Sequence, residues 1–115
     1  MPERIRVVDI KSDMPTADHA VRRVHNALVG ARASGAAAVK IIHGYGSTGV
    51  GGRIRTEARR FLEDQRRRGK VRAVIPGEAF SIFDQGTLRA FELCPELRRD
   101  SDLGRENNGV TIVVL

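Results

Sequence analysis

An α/β sandwich is the fold class this sequence predicts, two-layered and in the order β-α-β-α-β-β, and three observations predict it. Short β-branched runs alternate with two segments whose apolar residues recur every three or four positions. The final run, Gly109 to Leu115, is apolar at almost every position, which marks a strand that is central or covered on both faces. No internal repeat, heptad, linker or low-complexity segment breaks the chain, so residues 1–115 read as one domain with one modest core.

Residues 4–10 (Arg-Ile-Arg-Val-Val-Asp-Ile) read as a strand closed by polar Lys11-Ser12-Asp13. Pro15-Thr16 opens a helix whose Ala17, Ala20, Val21, Val24, Ala27, Leu28 and Ala31 share one face, with Gly35 placed to end it. Ala36 to Ile42 is a second strand, ending at His43. A glycine-rich loop leads into a second helix over 52–68, with Ile54, Ala58, Phe61 and Leu62 as its apolar face and Gly69 as its stop. Lys70 to Ile75 is a third strand, halted by Pro76-Gly77. Residues 77–107 are the least regular, with a short helix expected near Thr87 to Leu93, bounded by Pro95. Strands alternating with helices imply parallel, right-handed crossovers.

The composition narrows the function classes. The chain carries a formal charge of +6 and a pI near 10.7, which favours a polyanionic partner. Between Arg53 and Arg72 stand nine basic residues against three acidic ones, so the excess resides in the second helix and its exit. Pairs such as Arg60–Asp64, Asp64–Arg68 and Glu63–Arg67 offer the plainer account, a solvated helix face. With no Trp and one Tyr, a broad aromatic platform is excluded. One cysteine, no secretory apolar region and no long apolar run argue for a cytoplasmic protein away from membranes. Cys94, without a basic neighbour, reads as a small buried hydrophobe. His19 and His25, six apart, do not share a helix face as metal ligands would. No cofactor is called for, and Asp9 and Asp13 would hold a divalent ion only weakly.

The richest stretch is Ile41-Ile42-His43-Gly44-Tyr45-Gly46-Ser47-Thr48-Gly49-Val50-Gly51-Gly52. Glycines let backbone approach a ligand closely, a following helix favours an anion at its start, and an imidazole moves protons near neutral pH. Gly44 to Gly49 spells G-x-G-x-x-G between a strand and a helix. A nucleotide or dinucleotide module on that loop is therefore one alternative. Against it, the acidic residue due some 20 positions on is missing, the third strand ending at Ile75-Pro76. Gly52-Arg53 also stands where a P-loop needs Lys-Ser/Thr.

His43-Gly44-Tyr45-Gly46, at a strand end and before a basic helix, resembles the H-G-x-G motif of Smr (small MutS-related) domains. Val8-Asp9-Ile10-Lys11 sits where that family has L-D-x-H, Pro76-Gly77-Glu78 is similar to its segment after the third strand, and Gly109–Leu115 to its closing strand. The resemblance covers almost the whole chain, as a stand-alone single-domain member. It implies a fold similar to the carboxy-terminal domain of translation initiation factor three, binding to DNA or RNA, and in many members endonuclease activity. It also implies ribosomal partners for some. The chain departs from the family twice. Lys11 occupies the second histidine position, which a lysine cannot fill as a proton shuttle at pH 7 unless its pKa is strongly lowered. Residues 78–108 form an insertion whose Phe80, Phe83, Phe91, Leu93 and Leu97 either cover the His43 loop as a lid or thicken the core.

The expected catalytic set is His43 as general acid or base, Asp9 orienting His43 or the nucleophile, and Lys11 neutralising a phosphate. The expected binding set is Gly44, Tyr45 and Gly46 with Arg53, Arg55, Arg59 and Arg60 along the backbone. Tyr45 either stacks on a base or on Arg53, or is a loop residue packed on its own helix. The alternative to cleavage is an adaptor that recognises structured nucleic acid or a ribosomal surface.

Overall fold

The computed structural model describes residues 4–46 and 49–115. Its elements are β1 (Ile5–Asp9), α1 (Ala17–Ala33), β2 (Ala38–Ile42), α2 (Gly49–Arg67), β3 (Ala73–Pro76), α3 (Gln85–Leu93) and β4 (Val110–Val114), with 3₁₀ turns at Gly77–Ala79 and Pro95–Arg99. The strands form one sheet in the order β1-β2-β4-β3. β1 and β2 run parallel, and β4 lies antiparallel between β2 and β3. All five residues of β4 are buried, as a pattern apolar at all but Thr111 requires of a central strand.

Local chemistry sets the boundaries. The Thr16 hydroxyl accepts from the His19 amide and starts α1, while Gly35, at φ +80°, leaves it. Gly69, at φ +72°, turns the chain after α2. The Asp84 carboxylate caps α3 by accepting from the Thr87 amide at 2.8 Å.

Helices α1 and α2 cover one face of the sheet. There Val24, Leu28, Ile54 and Leu62 pack with Val39, Ile41 and Val113. The other face is closed by α3 and the 3₁₀ turns, where Phe80, Phe91, Cys94 and Leu97 pack on Ala38, Ile75, Ile112 and Val114. The segment over 78–108 therefore thickens the core as a partial third layer, with Phe80, Phe91 and Leu97 buried against the sheet while Ile82, Phe83 and Leu88 are exposed. Cys94 is buried. Lys40, on the same face, reaches Asp100 and Asp102 of this segment.

Candidate functional site

Parallel pairing brings the carboxyl-terminal ends of β1 and β2 together, with Asp9 opposite Ile42 and the Ile10 amide donating to the Ile42 carbonyl at 3.0 Å. The chain leaves β1 through a turn that Asp9 builds. Its Oδ1 accepts from the Lys11 and Ser12 amides at 2.8 and 3.0 Å. The Lys11 ammonium lies 3.6 Å from Asp9 Oδ2. Partial burial raises the Asp9 pKa, but the Lys11 amide, Ser12 and the Lys11 charge outweigh it, and the net shift is downward.

One strand over, the amides of His43 and Gly44 both donate to the Gly109 carbonyl, at 3.1 and 3.0 Å. The His43 ring turns into the layer between sheet and α2 and is 1% exposed. Its Nδ1 lies 2.9 Å from the Gly44 carbonyl oxygen, which can only accept, so Nδ1 carries the proton. Its Nε2 lies 2.8 Å from Thr111 Oγ1. That hydroxyl accepts from Arg59 Nε at 3.1 Å, which leaves its own proton to donate to Nε2. The ring is thus a neutral link in a chain of hydrogen bonds. Burial drives its pKa down to about 4; the Gly44 carbonyl opposes this, and the Arg59 and Arg55 charges reinforce it.

The His43 ring is thus enclosed with both nitrogens engaged, and Asp9 Oδ1 accepts from the amides of its own turn rather than from His43. Arg59 is likewise engaged within the protein. Its guanidinium forms a bidentate pair with Glu78 at 2.7 and 2.8 Å and also donates to the Asn108 and Val110 carbonyls. It is a strut between α2, the exit of β3 and β4, with its donors spent inside the protein. The Arg59 guanidinium holds the Glu78 carboxyl below its usual pKa against partial burial.

The glycine turn stays at the surface. Gly44 has φ +81°, and a Cβ there would sit 2.9 Å from the Lys11 Cδ, so the Lys11 stem lies along the turn. Gly46 has φ +51°, and a Cβ there would meet the Gly51 carbonyl oxygen at 2.1 Å, a contact only glycine avoids. Between them Tyr45 is 65% exposed. The part of the expected phosphate grip that falls on Ser47-Thr48 lies outside the described residues.

The arginines of α2 divide into two groups. Arg60 pairs with Glu57, Arg66 with Glu63, and Arg67 and Arg68 with Asp64. The basic track expected along the whole helix is therefore largely neutralised in its second half. Arg53 and Arg55, in the first turns, pair with no carboxylate among the described residues. Arg53 is exposed and lines, with Met14 to Asp18, a cleft of about 340 Å³ at the start of α1. Arg55, half-buried in the first turns of α2, acts electrostatically on both His43 and Glu78.

Sequence reasoning missed Thr111 as a site residue. The signal was a lone hydroxyl in an otherwise apolar central strand, which must find a hydrogen-bond partner. Asn108, beside it, has a buried Oδ1 without a partner among the described residues. Among those residues, no group of three or more His, Cys, Asp or Glu could hold a metal ion, and no helix is long and apolar enough to cross a membrane.

No curated protein and no solved structure matches this chain. The family model of the Smr domain matches residues 13–80, which include α1, β2, the glycine turn, α2, β3 and Glu78. Asp9 and Lys11 precede that stretch and β4 follows it. With more than half of its length in the match, and His43-Gly44-Tyr45-Gly46 at the end of β2 inside it, this chain belongs to the Smr domain family.

Proposed function

We propose that this chain binds nucleic acid, DNA or RNA, at the loop end of β1 and β2, and that it does so as an adaptor without cutting the strand. Smr domains are in general nucleic-acid-binding domains, and some are endonucleases. The observation that carries the binding reading is the division among the α2 arginines: the two without carboxylate partners among the described residues are those beside the glycine turn. Lys11, Arg53 and Arg55, with Arg60 further along the helix, supply cations for phosphates. Gly44 and Gly46 let a sugar–phosphate strand approach the turn. His43, Thr111 and Arg59 act from inside by holding that turn against β4.

Cleavage asks for a group that exchanges a proton with the nucleophile or leaving oxygen. His43 is enclosed and neutral at pH 7, and Lys11 stands against Asp9 where the family's second histidine would be. Both features favour binding over hydrolysis.

The test is binding to labelled oligonucleotides across a salt series, with nuclease assays on circular plasmid and structured RNA. Four neutralised phosphates give a log–log salt slope of roughly −3. Arg53→Ala and Arg55→Ala should each reduce it by about one unit and weaken binding across sequences. A slope near zero in the wild type would refute nucleic-acid binding. Cleavage by the purified wild type that His43→Ala abolishes would refute the adaptor reading.

A further inference from the structure

The exposed ring at the tip of the glycine turn specifies the kind of nucleic acid. Three of the four phenylalanines are placed as the hydrophobic effect demands, Phe80 and Phe91 buried against each other edge to face and Phe61 half-buried against His25, while Phe83, on the segment over 78–108, is 91% exposed. Tyr45, the only tyrosine, is 65% exposed although it sits on one of the most constrained turns of the molecule. On one side Gly44 is fixed by its amide on Gly109 and by the Lys11 stem; on the other Gly46 packs on the Gly51 carbonyl. The backbone is braced while the ring it carries remains in water. The Lys11 stem lies along the turn, and Arg53 and Arg55 follow in the first turns of α2.

We infer that Tyr45 is a stacking platform for an unpaired base, and that the ligand of this site is a single-stranded or locally unpaired stretch of nucleic acid rather than continuous duplex. This rests on the binding proposed above and names its substrate class. In a duplex the faces of the bases are stacked on one another, and only their edges reach the grooves. An aromatic ring can meet a base face only where the base is unstacked. One ring suits one extruded or terminal base, with the adjoining phosphates on the cations that flank the turn.

The composition supplies a direct readout. With no tryptophan and one tyrosine, ultraviolet emission from the intact protein comes from Tyr45 alone. The experiment titrates the protein with oligothymidylate and with a blunt duplex of matched length, following tyrosine emission and, separately, the anisotropy of the labelled nucleic acid. Oligothymidylate should quench the emission at saturation, and the duplex should quench it much less. Tyr45→Ala should lower affinity for oligothymidylate relative to duplex by roughly 5- to 100-fold, and Tyr45→Phe should restore it, because the ring and not the hydroxyl makes the contact. Oligothymidylate binding by anisotropy with unchanged emission, or an unchanged preference in Tyr45→Ala, would overturn the stacking assignment and leave the binding reading standing. No anisotropy change with either probe at low salt would overturn both.

Discussion

Two buried titratable side chains, one in the middle of a strand and one just past its end, lie on opposite faces of one sheet and resolve the cost of burial in opposite ways. Lys40 is 7% exposed and keeps its charge, while His43, three positions on, is 1% exposed and gives its charge up. The difference lies in what each meets. Lys40 meets two carboxylates from the segment that closes the second face: Asp100 at 2.9 Å, and Asp102, which also accepts from Asn107. Burial pulls its pKa down, the two carboxylates outweigh that, and it ends raised. His43 meets a carbonyl and a hydroxyl, with the cationic Arg59 and Arg55 nearby, so nothing repays a second proton. A buried group is charged where an opposite charge is delivered to it and neutral where only dipoles are. On this sheet the charged solution clamps the segment over 78–108, and the neutral one braces the glycine turn.

The clamp gives the largest expected effect. Lys40→Met leaves Asp100 and Asp102 without their counter-charge and should cost about 3–5 kcal/mol, a large part of the total stability of a small domain. Urea denaturation midpoints measure it. Adding Asp100→Asn and Asp102→Asn to Lys40→Met should recover much of the loss, since it removes the uncompensated charge. A triple variant no more stable than the single one would show that Lys40 matters by packing alone, and the contrast with His43 would fail. The clamp should also be insensitive to pH over a wide range. The raised Lys40 pKa secures it below 10.5, and the lowered Asp102 pKa secures it above 3.8.

The brace behaves otherwise. With a pKa near 4 in the folded protein and 6.5 when exposed, His43 takes up its proton first in the unfolded chain. Its contribution is therefore complete above pH 6.5 and is lost as the pH falls from 6.5 towards 4, by about 3 kcal/mol in all. The lowered carboxylates Asp9, Glu63, Glu78, Glu96 and Asp102 begin to destabilise as the pH reaches their ordinary values of 3.8 to 4.5, so the window that isolates His43 runs from pH 6.5 down to 4.5. Denaturation midpoints across that window should slope in the wild type and run flat in His43→Phe. A slope that survives in His43→Phe would assign the acid sensitivity to another group and place a charged imidazole back among the options for the turn.

What was legible in the sequence was whatever depends on neighbours along the chain. The 3.6-residue repeat of Ala17, Ala20, Val24, Leu28 and Ala31 gave α1, Gly35 and Gly69 gave the helix ends, and the largely apolar run at 110–114 gave the central strand. The partners of the site residues were not legible, because they lie far along the chain. Nothing local to His43 tells that Thr111, 68 positions away, will hold its Nε2, or that Glu78 will take both arms of Arg59. Lys40 lies in an apolar strand, and its carboxylates come from the region of weakest periodicity. Of the anticipated four-residue pairs on α2, Asp64–Arg68 forms, whereas Arg60 and Arg67 pair instead at three residues, with Glu57 and Asp64, a choice that rotamers decide.

The smallest effect sharpens the comparison most, because it isolates a single dipole. Thr111→Val keeps the shape of the side chain and deletes the hydroxyl shared by His43 Nε2 and Arg59 Nε. Arg59 retains its Glu78 and carbonyl contacts, whereas Nε2 of the buried ring is left without a partner, a loss of roughly 1–2 kcal/mol. In a His43→Phe background the same substitution should cost less, since the ring no longer has an acceptor to orphan. The double-mutant cycle measures that coupling directly, with about 0.5 kcal/mol or more expected between contacting groups. A coupling indistinguishable from zero would mean that the hydroxyl serves Arg59 alone. The neutral solution would then rest on burial and the Gly44 carbonyl, and the turn that carries Tyr45 would be braced from one side instead of two.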